Sequence, residues 1–341
     1  MPKSNKKASK KSLIFIIFAL LGLSAIYFVD ATYIRDQITA MLFVPSAEVI
    51  ALKDQIDLTK DGNRILLASE PQLETRDSFN ENCKSHDESI SVLGCYASGK
   101  IHVYNIENAE LAGVNEVTLA HEFLHAVWAR LPSSEKSRLE PLINKLYELN
   151  KDKLHDRLIN YDESDWIDEL HSIIGTELTY FSEPCNVPCA INIEFNPLID
   201  HYNKYFQNRD KILSLYANYN SKFESLQKEA EETREKIDTL KAEIESKNDE
   251  YVKKVDNLNV KVADLKLRAE NGYFSSVSAF NAERNRLNAE IDSTNDLYYE
   301  SISMTDEVNA LISAYNSNIL RTKDLSESMN SNITPPSTGG I

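Results

Sequence analysis

Basic charge is scarce in this chain once its first residues are set aside. Five lysines (Lys3, Lys6, Lys7, Lys10, Lys11) stand in the first eleven residues; taking them from 37 basic residues leaves 32 against 53 acidic ones, a formal net charge of −21 where the whole chain carries −16. So acidic a surface repels phosphate backbones and argues against nucleic acid as a partner. Cysteine is also sparse: Cys83, Cys95, Cys185 and Cys189, with no Cys-x2-Cys spacing. That spacing speaks against a four-cysteine zinc site and for structural disulfides, which sequence proximity pairs as Cys83–Cys95 and Cys185–Cys189. Beyond Arg209 glycine and proline nearly vanish, which excludes a turn-rich domain there. With 341 residues, the chain has room for about two folded units.

One long apolar run is present, residues 13–29, with 17 uncharged residues. As a helix it spans roughly 25 Å, close to a hydrocarbon core. Residues 1–12 then read as a basic cytoplasmic N-terminus and 13–29 as a transmembrane signal-anchor. That sets the expected localisation: single-pass, N-terminus cytoplasmic, the remainder in the cell envelope. A cleaved signal peptide is the alternative, with Val29-Asp30-Ala31 as its processing site.

Residues 30–208 read as a mixed α+β domain. Asp61-Gly62 marks an early turn. The runs Ser91–Tyr96 and Lys100–Asn105, parted by Ala97-Ser98-Gly99, predict a β-hairpin. Helices are predicted over Val114–Leu131, from a cap at Ser133 or Ser134 to Asn150, and from Asp162 to Phe181. Strands first and helices afterwards favour α+β over alternating β-α-β. From 209 to 328 apolar residues recur at three- and four-residue steps through Ile212, Leu226, Ile237, Leu258 and Leu265, then Leu287, Tyr298, Val308 and Ile319, with Asn271-Gly272 between. The pattern predicts two long helices folded back as an antiparallel coiled-coil hairpin, with self-association as a parallel dimer the rival reading. Residues 329–341 read as a disordered tail.

The chemistry concentrates in His121-Glu122-Phe123-Leu124-His125. Two histidines four apart lie one turn apart on a helix face and can reach one zinc ion. Glu122 is rotated about 100° from His121, beside the metal, where a general base for a zinc-activated water belongs. Both histidines fall at the shoulder of the apolar stripe Val117, Ala120, Leu124, Val127, Trp128 and Leu131.

This stretch resembles the active-site helix of glutamate-ligand zinc metallopeptidases, the gluzincins. By that resemblance the domain is zincin-like and the third zinc ligand comes from a later helix. There Trp166-Ile167-Asp168-Glu169-Leu170-His171-Ser172 is similar to the Trp-x-Asn-Glu-x-Phe-Ala pattern of aminopeptidase-type gluzincins, with Glu169 at the ligand position. Asp168 stands where that pattern has Asn and His171 where it has an aromatic. Glu177, placed within the apolar arc of the same helix, competes as third ligand or as a group orienting a ligand histidine. Tyr161, His171 and His201 are candidate oxyanion stabilisers. The strand Ile101–Asn105 corresponds by the same resemblance to the substrate-binding edge strand. The resulting expectation is a peptidase holding one Zn2+ per chain and acting on a peptide or protein substrate. The reading from a different class is a non-catalytic envelope protein that works through its coiled coil.

Overall fold

The computed structural model describes residues 31–83, 92–159, 161–178 and 190–331. It is mostly helical with one small three-stranded sheet, an α+β arrangement. Three helices come before any strand: α1 (Ala31–Leu42), α2 (Ala47–Ile56) and α3 (Lys60–Ala68). Ser46 caps α2 by accepting from the Val49 amide, and Thr59 caps α3 by accepting from the Gly62 amide. Asp61-Gly62 is therefore the first turn of a helix and not the loop its composition suggested. Glycine is required there because a Cβ would lie 2.3 Å from the Tyr205 carbonyl oxygen. Helix α1 is fixed through buried Asp36, which accepts from Arg130 Nε at 2.7 Å.

The sheet follows, with α4 (Arg76–Asn82) between β1 (Gln72–Glu74) and the hairpin β2 (Gly94–Ala97) and β3 (Lys100–Tyr104). Ser98 and Gly99 turn the hairpin at φ 53° and 82°, the left-handed pair that matches strand twist. The strand order is β1-β3-β2, parallel then antiparallel. This corrects one expectation: β3 is the central strand, and β2 is the edge. With neighbours on both sides, β3 buries Ile101, His102, Val103 and Tyr104 in succession, so neither of its faces is solvated.

Next come α5 (Val114–Arg130), α6 (Ser133–Leu149), α7 (Lys151–Leu158), α8 (Trp166–Thr176) and α9 (Ala190–Asn203). The cap position of α6 is Pro132 without a side-chain bond, so Ser133 is the first helical residue and not the cap. The core is built round α5: Ala120, Phe123, Leu124 and Val127 are fully buried against Ile101, Ile143, Leu170, Ile174, Phe195 and Tyr202.

Last are α10 (Asp210–Glu270) and α11 (Val277–Ser328). The chain divides into two compact units, residues 1–220 with 325–341, and residues 221–324. Within the second unit the helices pair antiparallel: Lys236–Glu307 at 2.8 Å, Lys247–Glu300 at 2.6 Å and Lys261–Glu290 at 2.5 Å. Leu226, Ile237, Leu258, Leu265 and Val308 form its buried seam, while Tyr298 and Ile319 are exposed. The first turns of α10 belong to the first unit, where Ile212 joins the core.

The single-pass envelope localisation is corrected. Among the described residues no helix is long and apolar enough to cross a membrane. The run 13–29, on which the anchor expectation rested, lies outside them, so neither anchor nor localisation is carried further. Cys83 and Cys95 are joined by a disulfide. The Cys185–Cys189 pairing, Phe181 and the tail beyond Ser331 also lie outside the described residues.

Candidate metal centre

Two helices make the centre. Helix α5 begins after Gly113, whose φ of 103° suits glycine and whose missing side chain leaves room for Leu215. Helix α8 approaches it closely at Gly175, where a Cβ would meet Leu124 Cδ1 at 2.2 Å. The Trp128 and His171 rings pack 5.0 Å apart across the same contact. This close crossing brings Glu169, in the first turn of α8, up to the histidine pair of α5.

Among the described residues His121, His125 and Glu169 form a group that could hold a metal ion. The two Nε2 atoms are 3.2 Å apart. Glu169 Oε1 lies 3.5 Å from His121 Nε2, and its Oε2 lies 3.4 Å from His125 Nε2. Each Glu169 oxygen thus faces one imidazole nitrogen, and with one atom taken from each residue the three donors lie within 4.8 Å of one another. Donors about 2.0–2.1 Å from a tetrahedral zinc are separated by about 3.3 Å, so a small closing movement brings this group to the right size. The chemistry fits as well: two imidazoles and a carboxylate are a catalytic zinc set, with one position left for water.

The surrounding carboxylates divide the remaining tasks. Asp168 Oδ1 is 2.8 Å from His125 Nδ1, which fixes that nitrogen as the N–H donor and turns Nε2 toward the centre. Glu177 Oε1 stands 3.9 Å from His121 Nδ1, too far for a hydrogen bond, and the same carboxylate accepts two bonds from Arg157. Glu177 is thus already paired to Arg157, whereas Glu169 faces both Nε2 atoms. Burial pulls both imidazoles down, yet contact with Glu169 holds His121 above its usual range; Asp168 and Glu169 hold His125 well above it. Burial works against ionisation of Glu169 as well, but the two histidines win and hold it far below the carboxylate range. Glu122 is pushed up by burial, against the pull of His125 and His121.

These residues floor an open cleft of about 630 Å³, within the usual size of a ligand site. One wall is the edge strand with its lead-in, Val92 to Tyr96; the other includes Arg157, Tyr161, Asp165 and Asp168. Tyr216, Tyr219 and Met329 also line it. Of the three oxyanion candidates only Tyr161 reaches the cleft, its phenol raised by burial and by the Glu169 and Glu122 carboxylates. His171 and His201 do not: both are fully buried, their Nε2 atoms 2.9 Å apart in an aromatic cluster behind α5.

Sequence reasoning missed Asp168 as the partner of His125, and Arg157, Gly94 and Met329 as cleft residues. Asp168 carried a signal, since a carboxylate beside the ligand position can orient a ligand histidine. The others carried none, because what brings them to the cleft is tertiary packing. No family model, curated protein or solved structure matches this chain.

Proposed function

We propose that this chain is a zinc-dependent peptidase that binds one zinc ion through His121, His125 and Glu169, with Glu122 as general base. The observation that carries this reading is the His121, His125 and Glu169 donor group, its atoms within 4.8 Å of one another, with a buried carboxylate one residue from His121 and a cleft above it. When bound, zinc lowers the pKa of a water molecule and polarises the scissile carbonyl.

The chain's own groups supply the rest. Glu122 takes the attacking water's proton and delivers it to the leaving amine, a task suited to a carboxyl that burial has raised. Asp168 holds His125 in the tautomer with Nε2 free. Tyr161, kept protonated by its surroundings, donates a hydrogen bond to the oxyanion that develops at the carbonyl. Among the described residues β2 has no strand on its outer side, and that edge offers backbone amides and carbonyls to an extended peptide laid along the cleft.

The test is metal analysis with peptide-library hydrolysis by wild type and Glu122→Gln. Zinc content should be near one per chain in both proteins, and hydrolysis should fall by about 10²–10⁴-fold in the variant, the usual contribution of a general base. Equal rates would exclude Glu122 as base. A zinc-loaded wild type that cleaves nothing would favour the second reading, a non-catalytic interaction protein. The observation behind that reading is the long helical hairpin of residues 221–324, a form that commonly docks partners.

A further inference from the structure

Glycine 94 opens the edge strand β2 and is buried against the floor of the cleft. A Cβ built on it would lie 2.6 Å from Glu122 Cγ, 2.7 Å from Glu122 Oε1 and 2.7 Å from Thr118 Cγ2. Carbon atoms attract one another best at about 3.5–4.0 Å, so none of these approaches is tolerable. The side chain absent at position 94 is the space that the Glu122 carboxylate fills. We propose that Gly94 is a positioning residue: its bare Cα lets the edge strand close over Glu122 and fixes where that carboxylate points.

The inference rests on the proposed role of Glu122, and the local geometry shows why it is selective. Of the three nearest atoms, two belong to the Glu122 side chain, its Cγ and one carboxylate oxygen, and one is a Thr118 methyl. An added methyl therefore presses on two side chains; the Glu122 side chain, with more rotatable bonds than β-branched Thr118, is the one that turns away. Beside Gly94 the strand is held in two ways. Cys95 is tied to Cys83 at the end of α4, and residues 94–97 pair with β3. Since β2 cannot easily back away, the carboxylate is what moves. His121, His125 and Glu169 are not among the three atoms nearest the added methyl, so the proposal requires the donor group to remain. Position 94 thus separates the base from the metal: a substitution there misplaces Glu122 and leaves the ligands intact.

Gly94→Ala tests this with three measurements: zinc content, thermal stability and peptide hydrolysis. The expected result is one zinc per chain and a 10- to 1,000-fold loss in kcat with KM little changed. In a Glu122→Gln background, whose base is already disabled, the same change should cost less than about threefold in kcat. Wild-type kcat in zinc-loaded Gly94→Ala would overturn the proposal, and so would an equal loss in both backgrounds. Stability provides a readout independent of activity. Gly94→Ala should lower Tm in the wild-type background and lower it much less when Glu122→Ala and Thr118→Ala have removed the clashing atoms. An equal Tm loss in both backgrounds would show that Gly94 does not pack against Glu122. This holds even if the protein proves to cleave no peptide, an outcome that would refute the proposed function alone. Should Gly94→Ala fail to fold, Gly94→Ala with Thr118→Ala keeps the test open. Relief at Thr118 leaves Glu122 as the obstacle, so kcat should stay low; recovery to the Thr118→Ala level would overturn the proposal.

Discussion

Besides Glu122, three carboxylates stand at the histidine pair, and each meets it differently. Glu169 faces both Nε2 atoms, Asp168 faces His125 Nδ1, and Glu177 stands off His121 Nδ1 while paired to Arg157. Zinc retention should rank accordingly, measured by competition with a chromophoric chelator. Glu169→Ala should weaken binding most. Asp168→Ala should weaken it by about 10–100-fold, the usual cost of losing a partner that orients a ligand. Glu177→Ala should weaken it least; if it proves costlier than Glu169→Ala, the third ligand is Glu177. A second residue-scale effect lies behind the site. Burial, reinforced by Lys204, pulls His201 down to about 4 from its ordinary 6.5, against a smaller upward pull from Glu135. The unfolded chain therefore takes up this proton at higher pH than the folded one. The stability associated with neutral His201 is complete above 6.5 and is lost as the pH falls toward about 4. Thermal melts should accordingly decline less steeply from pH 6.5 to 4 in His201→Gln than in wild type. Parallel declines would remove His201 from the acid response.

At the scale of elements, the centre depends on two junctions. One is the disulfide from α4 to β2, whose cysteines are 12 positions apart. Closing a loop of that length restricts the unfolded chain by about 3 kcal/mol. Replacing Cys83 and Cys95 together with serine should lower unfolding free energy in urea by about 2–4 kcal/mol; a loss below about 0.5 kcal/mol would show that the strand needs no tether. The other junction is the crossing of α5 and α8 at Gly175, where an added methyl meets Leu124 and Tyr202. Such overpacking typically costs about 1–3 kcal/mol. Gly175→Ala should also weaken zinc binding, because the helix it displaces carries Glu169. Unchanged affinity for zinc would mean that α8 can shift without moving its first turn.

At the scale of the molecule, residues 221–324 form a compact unit inserted between two parts of the other. All three proposed ligands, the base and Tyr161 belong to the other unit. Paired helices lie about 8–10 Å apart, a gap that a short Gly-Ser linker spans. Replacing Ser221–Asp324 with such a linker should leave one zinc per chain and undiminished hydrolysis of short peptides. Loss of zinc on excision would show that the two units do not fold independently.

The sequence by itself determined what is local or periodic. His121, Glu122 and His125 share a helix because helical spacing alone sets their relation, and the hairpin at Ser98-Gly99 and the long seam of α10 follow from turn chemistry and apolar period. In α11 the apolar period also named Tyr298 and Ile319, which are exposed, while polar Thr294, Ser301 and Asn318 are buried. Within the described residues it did not announce α1 to α3. These are short, and Asp61-Gly62 looks like a turn until Thr59 caps the helix that contains it. Tertiary structure alone decided the rest: that β3 is central and β2 the edge, that Glu169 rather than Glu177 faces both histidines, that His171 and His201 are buried behind the site, and that Gly94 lies over Glu122. The reason is physical. A spacing along one helix fixes directions within that helix, but which atoms of two elements meet depends on how closely their backbones pack. Here that closeness is set by two absent side chains, at Gly175 and Gly94.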